Sequence, residues 1–162
     1  MDNRKTAIIK ILETAVLEEI KAKEFYLKMS VQLSNKEAQS RFKHMAEAEQ
    51  EHEDILKAWY EETCGQPFDP SKAQPKENKM NFDEPEQHAT LTDILKLIAK
   101  VETRAFLFYK EAVVLARTPE EKRMFERLAD MEQMHADQSR TELQMFMNES
   151  LHFSAKDIPW KI

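Results

Sequence analysis

The sequence contains an internal repeat, in which the first half matches the second after a shift of 83 residues without gaps. The shift aligns Glu19 with Glu102, Phe25-Tyr26 with Phe108-Tyr109, Phe42 with Phe125, Ala46 with Ala129, Glu49-Gln50 with Glu132-Gln133, and His52 with His135. Each half therefore carries a Glu and, 30 residues later, the motif Glu-x-x-His. A repeat of this length predicts two copies of one supersecondary unit.

Four segments of the chain show apolar residues in alternating steps of four and three, which is the spacing of one face of a helix in a bundle. The predicted faces are Ile8, Leu12, Ala15, Glu19, Ala22, Tyr26, Met29 and Leu33; Ala38, Phe42, Met45, Glu49, His52, Leu56 and Trp59; Leu91, Leu95, Ile98, Glu102, Ala105, Tyr109, Ala112 and Ala116; and Phe125, Leu128, Glu132, His135, Ser139, Leu143 and Phe146. Asn35-Lys36-Glu37 is interpreted as the turn of the first helix pair. In the second pair, Thr118, Pro119 and Glu121 predict an N-cap, a first-turn proline and a capping box. Short turns make each pair an antiparallel hairpin.

Residues 64–89 contain four of the six prolines and no helical period. A helix of about 28 residues is about 42 Å long, and an extended linker of about 25 residues is longer than that. We therefore interpret this segment as a crossover between the second and third helices of one domain. The sequence predicts an all-α protein, an antiparallel four-helix bundle over residues 1–148. The apolar tail, residues 149–162, is expected to pack on the bundle or on a second subunit.

Composition and charge exclude several functional classes. A net charge of −6 without a basic run argues against nucleic acid as a partner. No apolar run is long enough to cross a membrane or to form a secretory signal, so we expect a cytoplasmic protein without membrane contact. The single cysteine, Cys64, excludes an internal disulfide and a cysteine-based zinc site.

The predicted helix faces carry four carboxylates and two imidazoles where a hydrophobic core is expected. Buried together, the carboxylates would lose hydration and repel one another, so a positive partner is required. Two divalent cations balance the four Glu and leave one neutral imidazole for each cation. The i, i+3 spacing places each Glu-x-x-His pair on one helix face. Oxygen-rich donors with one nitrogen per metal favour iron or manganese over zinc or copper.

Other acidic and histidine residues near the motifs are not assigned to the site. Glu149 and His152 form a third Glu-x-x-His match, but Pro119 stands where the upstream Glu would be, 30 residues earlier. This pair also lacks the Phe-Tyr pair, and we exclude it. The acidic residues that flank the first motif are expected on solvated helix faces: Glu47, Glu51 and Glu53.

The repeated motifs resemble those of the rubrerythrin family. They are E-I-K-A-K-E-F-Y followed by A-E-A-E-Q-E-H, and E-T-R-A-F-L-F-Y followed by A-D-M-E-Q-M-H. The resemblance covers about residues 5–148 and implies a ferritin-like di-iron domain that reduces hydrogen peroxide, with oxygen-dependent Fe(II) oxidation as a further activity, and a homodimer. The ligands that it implies are Glu49 and Glu132 as bridging carboxylates, Glu19 and Glu102 as terminal carboxylates, and His52 and His135 as nitrogen donors.

Tyr26 and Tyr109 each follow the terminal Glu of their half by two helical turns. We predict that their hydroxyls donate hydrogen bonds to ligand carboxylates and hold them in orientation. The alternative is a core position in which the hydroxyl bonds to some other group.

Two features depart from the family pattern. Rubrerythrins usually carry a further Glu one turn after the third-helix ligand, where this chain has Ala105. They also usually carry a rubredoxin module with four cysteines, whereas this sequence contains one cysteine. Because Ala22 matches Ala105, the six ligands form a symmetric set, which also resembles ferritin-type oxidation centres. Small residues near the terminal carboxylates, namely Ala15, Ala22, Ala105 and Ala112, leave space for dioxygen or peroxide.

Three functions therefore stay open. The first is a di-iron oxidoreductase that reduces hydrogen peroxide or oxygen with electrons from an external donor such as a rubredoxin-like protein. The second is a ferroxidase that oxidises Fe(II) for storage or delivery, and the third is a non-catalytic metal-binding bundle. The expected cofactor is two iron ions, with manganese as the alternative.

Overall fold

The computed structural model describes residues 3–32, 36–74 and 90–152. Within these ranges the chain forms four α-helices and no β-strand: α1 Asn3–Gln32, α2 Lys36–Cys64, α3 Leu91–Leu115 and α4 Pro119–His152. The predicted all-α class is confirmed. None of these helices contains an apolar stretch long enough to cross a membrane. Leu33, most of the predicted crossover (residues 75–89) and the end of the predicted tail (residues 153–162) lie outside the described residues.

Both helices of the second half begin with a capping box. Thr90 Oγ1 accepts a hydrogen bond from the backbone N–H of Asp93 at 3.2 Å, and the Asp93 carboxylate accepts one from the Thr90 N–H at 3.0 Å. Thr118 and Glu121 make the same reciprocal pair at 3.1 and 3.3 Å. The predicted start of α4 is confirmed, with Pro119 in the first turn, where an N–H would have no helical partner.

The helix ends of the first half differ in one respect from the prediction. α2 begins at Lys36, so Lys36 and Glu37 lie in the helix rather than in the turn. At its other end, Gly65 takes a left-handed φ of 77° and donates its N–H to the carbonyl oxygen of Glu61 at 2.7 Å. This conformation stops the helix after Cys64, and a side chain with a Cβ would be strained there.

The chain divides into two compact units, residues 1–82 and 83–162. In the first unit α1 packs along α2, and in the second α3 packs along α4. Each unit holds one copy of the repeat, so both predicted hairpins are present. α4 continues to His152, beyond the predicted domain limit at residue 148. A single domain over residues 1–148 and a packed tail stay predictions.

The predicted helix faces are buried over most of their length. Met45 and Trp59 of α2 are only half-buried, as are Leu91, Ala116 and Leu143 near the helix ends. Aromatic contacts hold each hairpin together: Tyr26 packs against Phe25 and Phe42, with ring centroids 5.4 and 6.1 Å apart. Tyr109 packs in the same way against Phe108 and Phe125, at 5.3 and 6.4 Å. The repeated Phe-Tyr pairs therefore form the aromatic part of each core.

The first residues after α2 fold onto the first hairpin. The backbone N–H of Gln74 donates to Glu13 Oε2 of α1 at 3.1 Å, and the Tyr60 hydroxyl of α2 donates to Glu13 Oε1 at 3.3 Å. The Phe68 ring meets the Tyr60 ring edge to face, with centroids 5.3 Å apart. These contacts fix residues 65–74 against α1 and explain why Glu13, an acidic residue, is buried.

Candidate metal centre

In the first hairpin, α1 contributes Glu19, and α2 contributes Glu49 and His52. The Nδ1 atom of His52 lies 3.2 Å from Glu49 Oε2 and 3.7 Å from Glu19 Oε2. One ligand atom from each of the three residues lies within 4.8 Å of the others. All three are buried, and the His52 side chain is 0% exposed. We call this group the first triad.

In the second hairpin, α3 contributes Glu102, and α4 contributes Glu132 and His135. The Nδ1 atom of His135 lies 3.7 Å from Glu102 Oε2, and the three residues again offer ligand atoms within 4.8 Å of one another. Glu102 and Glu132 are both buried, whereas the His135 side chain is 16% exposed. We call this group the second triad. All six predicted ligands thus fall into two triads of the same composition.

Helix geometry explains both triads. A Glu and a His three residues apart project from the same helix face, and the antiparallel partner helix brings its own Glu to that face. The first triad therefore follows from the first copy of the repeat, and the second triad from the second copy.

Each triad is suited to a divalent cation. Its two carboxylates carry a charge of −2 when ionised, and a buried charge of that size needs a compensating positive group. Carboxylate oxygens combined with one imidazole nitrogen are donors that iron and manganese accept readily. The burial and the donor set of the triads therefore fit bound metal.

Tyr26 and Tyr109 are completely buried, at 0% exposure, in the hairpins that contain the first and second triads respectively. The Tyr26 ring is tilted by 45° to the Phe42 ring, and the Tyr109 ring stacks on the Phe125 ring at 28°. This burial is compatible both with a hydrogen bond to a ligand carboxylate and with the alternative core position. The prediction that their hydroxyls orient ligand carboxylates stays a prediction.

The prediction that Glu53 lies on a solvated helix face is wrong. Glu53 is 3% exposed, whereas Glu47 and Glu51 are exposed as predicted. Glu53 lies one turn after Glu49, and its carboxylate accepts hydrogen bonds from Lys23 of α1 and Lys57 of α2. Burial raises the pKa of Glu53, but the hydrogen bonds from the two ammonium groups outweigh it and hold the pKa below its usual value.

Glu18 is a second buried carboxylate beside the first triad. It is 4% exposed and bonds to Lys21 through a contact of 2.9 Å. Burial raises the pKa of Glu18, even though the Lys21 ammonium acts in the opposite direction. The apolar pattern of α1 gave no sign of this residue, because Glu18 lies one position away from the predicted face.

Solved structures show which class of protein has this fold. The chain is similar to a ferritin-like di-iron carboxylate protein from Bacillus anthracis, with 15% identity and a TM-score of 0.65 over 90% of this chain and 99% of that one. A manganese catalase, KatB, from Anabaena shows 16% identity and a TM-score of 0.68 over 97% of this chain and 79% of that one. A hypothetical protein from Pyrococcus furiosus shows 26% identity and a TM-score of 0.65 over 86% and 90% of the two chains. The fold is therefore the all-α, antiparallel four-helix fold of the ferritin-like proteins.

Sequence comparison narrows the class to one family. The rubrerythrin family model matches residues 10–143, and this chain belongs to the rubrerythrin family. No curated protein sequence matches the chain. The family expected from the repeated motifs is confirmed.

Proposed function

We propose that this protein is a rubrerythrin-type oxidoreductase that reduces hydrogen peroxide at a dinuclear metal site. The proposed ligands are the two triads: Glu19, Glu49, His52, Glu102, Glu132 and His135. The observation that carries the proposal is the occurrence of the same donor set twice, at matched positions of the two hairpins, with five of the six residues buried. Membership of the rubrerythrin family supports the pairing of the two triads around two ions.

The charge balance supports two divalent ions. Four ionised carboxylates carry −4 and two divalent cations carry +4, so the buried site becomes neutral only with both ions bound. The Bacillus anthracis neighbour is a di-iron carboxylate protein, which supports iron, and the Anabaena neighbour is a manganese catalase, which supports manganese as the alternative. We propose iron as the metal of the peroxide reaction.

The protein side chains have three tasks in this proposal. The four Glu and two His bind the ions, and the Tyr26 and Tyr109 hydroxyls orient carboxylates by hydrogen bonding. The buried core around the triads limits the access of water. When bound, the metal ions supply the two electrons that, with two protons, convert hydrogen peroxide into two molecules of water.

The electrons have to be replaced after each turnover. Cys64 is the single cysteine in these 162 residues, which is too few for a four-cysteine iron site of the rubredoxin type. We propose that an electron-donor protein, such as a rubredoxin-like protein, reduces the metal site.

Oxidation of Fe(II) is a second candidate function, favoured by one pair of residues. Ala22 and Ala105 are both buried and occupy matched positions one turn after the terminal carboxylates. Neither position supplies a seventh ligand, so the proposed donor set is symmetric. A symmetric set of this kind suits Fe(II) as a substrate that is bound, oxidised and passed on.

Metal analysis followed by rapid mixing distinguishes these functions. Protein loaded anaerobically with Fe(II) is mixed with hydrogen peroxide or with oxygenated buffer, and the oxidation of iron is followed by absorbance. We expect about two ions per chain, faster oxidation by peroxide than by oxygen, and repeated turnover with a chemical reductant. Faster oxidation by oxygen with release of Fe(III) would favour the ferroxidase. Less than one ion per chain would overturn both.

A further inference from the structure

Beside the first triad, a network of charged side chains joins α1 to α2. The Lys23 ammonium of α1 donates to the carboxylate of Glu53 and, at 2.9 Å, to the side-chain oxygen of Gln50, both on α2. The Lys57 ammonium donates to the other carboxylate oxygen of Glu53. Glu53 is buried and Lys23 is 20% exposed, so water screens this ion pair less than a surface pair.

This network is positioned to fix the geometry of the first triad. Lys23 lies one turn after Glu19 on α1, and Glu53 lies one turn after Glu49 and next to His52 on α2. The ion pair therefore connects the helix that carries one ligand to the helix that carries the other two. Charge-assisted hydrogen bonds between partly buried groups are stronger and more directional than neutral ones, so they oppose movement of α1 along α2 at this level.

The second hairpin has no equivalent residues for this ion pair. At the shift of 83 residues, Phe106 replaces Lys23 and Ala136 replaces Glu53, and neither side chain carries a charge. Arg140, which replaces Lys57, donates to Asp137 on its own helix and to the Thr103 hydroxyl of α3. Arg140 and Asp137 are 46% and 61% exposed, and exposed contacts of this kind contribute little.

The exposure of the two imidazoles also favours firmer metal binding by the first triad. The His52 side chain is 0% exposed, whereas the His135 side chain is 16% exposed. A buried ligand is harder for water or a competing chelator to reach than a partly exposed one. The first triad is therefore both more firmly braced and less accessible than the second.

We infer that the two metal positions are not equivalent: the first triad retains its ion, the second triad exchanges it, and Lys23 is a positioning residue for the retained ion. This inference rests on the proposed dinuclear function. The ligands alone would predict equal metal retention at the two positions, because the triads have the same composition. The difference therefore arises from the residues behind the ligands, which commonly alter metal affinity by about 10- to 100-fold.

Release of Fe(II) to a chelator tests the inference without measuring activity. Protein loaded anaerobically with Fe(II) is mixed with excess ferrozine, and the coloured ferrous complex is followed with time. We expect two phases of equal amplitude, one ion per chain in each, with rates that differ by about tenfold or more. A single phase that releases both ions would overturn the inference but leave the proposed function intact. Failure to bind iron would overturn both.

Two variants assign the slow phase. Lys23→Met keeps the length of the side chain but removes its charge, and we expect it to accelerate the slow phase by about 10-fold or more while the fast phase stays unchanged. Lys23→Arg keeps the charge and is expected to restore slow release. The matched control is Phe106→Met, the corresponding position of the second hairpin, which is expected to leave the slow phase unchanged.

The same variants separate positioning from general stability. If Lys23→Met accelerated both phases equally, Lys23 would be a merely structural residue and the inference would be wrong. The inference would also be wrong if both phases kept their wild-type rates. Circular dichroism of the metal-free variants shows whether the helices are retained after the charge of Lys23 is removed.

Discussion

The two hairpins carry the same ligand set but differ in the polar residues around it. The first hairpin buries three further carboxylates, and the second has no acidic residue at any of the three matched positions. The matched pairs are Glu13 with Lys96, Glu18 with Val101, and Glu53 with Ala136. The metal-binding pattern is thus retained in both copies of the repeat, while the supporting residues have diverged.

This difference shows which parts of the repeat a triad requires. The residues shared by both hairpins include the ligands and the residues of the aromatic contacts, Tyr26 with Phe42 and Tyr109 with Phe125. The buried ion pair and the Glu13 contacts occur in the first hairpin. The second triad therefore forms without a buried carboxylate at any of these three positions.

The largest expected effect comes from removing a ligand in either hairpin. Glu49→Gln and Glu132→Gln each keep the side-chain shape but remove one negative charge from a triad. We expect each variant to bind about one ion per chain or fewer. Loss of a residue that only hydrogen-bonds to a ligand typically lowers activity by about 10- to 100-fold, so we expect loss of a ligand itself to lower peroxide turnover by more than about 100-fold. Metal analysis and a peroxide assay measure both effects.

Glu149→Gln is the matched control for the ligand variants, because residues 149–152 also read Glu-x-x-His but lack the upstream Glu. We expect normal metal content and turnover in this variant. If Glu132→Gln kept two ions per chain, the second triad would bind neither of them, and the proposed dinuclear site would have to be abandoned.

The second-largest expected effect comes from shortening a phenylalanine in the aromatic core of either hairpin, and we expect the two cores to respond equally. Phe42 and Phe125 are 1% and 0% exposed, and each contacts the buried tyrosine of its own hairpin. Replacing either with Ala removes a large buried side chain and leaves a cavity, so we expect each variant to lower the free energy of unfolding by about 3–5 kcal/mol. Urea denaturation of the metal-free protein, followed by circular dichroism, measures the change.

Exposed valines at matched positions provide the control for the core variants. Val31 and Val114 are 76% and 82% exposed and are related by the same shift of 83 residues. Replacing either with Ala is expected to change the free energy of unfolding by less than about 0.5 kcal/mol. A much smaller cost for Phe42→Ala than for Phe125→Ala would show that the two cores are not equivalent.

The helices and the six candidate ligands could be predicted because their signals are periodic and repeated. Glu49 and His52 fall on the same helix face as Leu56, so the apolar period identified them as buried, and the second copy distinguished them from the unrelated match at Glu149. The Thr118 cap was predicted from Pro119 and Glu121. Thr90 and Asp93 make the same capping pattern, which the sequence analysis did not use.

The ion pair of Lys23 and Glu53 could not be predicted in the same way. Helical periodicity identifies apolar positions, and a charged residue outside the apolar face is normally solvated. Glu53 is buried because two ammonium groups neutralise it, and one of them, Lys23, is 30 residues away in the chain. A contact between helices of this kind depends on side-chain reach and helix rotation, which local spacing does not determine.

The smallest expected effect concerns Tyr60, whose matched residue in the second hairpin is Leu143. Burial, the neighbouring Cys64 thiol and the Glu13 carboxylate together raise the pKa of Tyr60 from 10.0 to about 12. Because the protonated form is favoured in the folded state, its contribution to stability is fully present below pH 10 and is lost as the pH rises to about 12. The titration of tyrosinate absorbance in wild-type protein, minus that of Tyr60→Phe, is expected to show one group with a pKa of about 12.

Tyr60→Phe should also weaken the loss of stability between pH 10 and about pH 12, measured by urea denaturation. A Tyr60 pKa near 10 would mean that the Glu13 contact, and with it the attachment of residues 65–74 to the first hairpin, does not persist in solution.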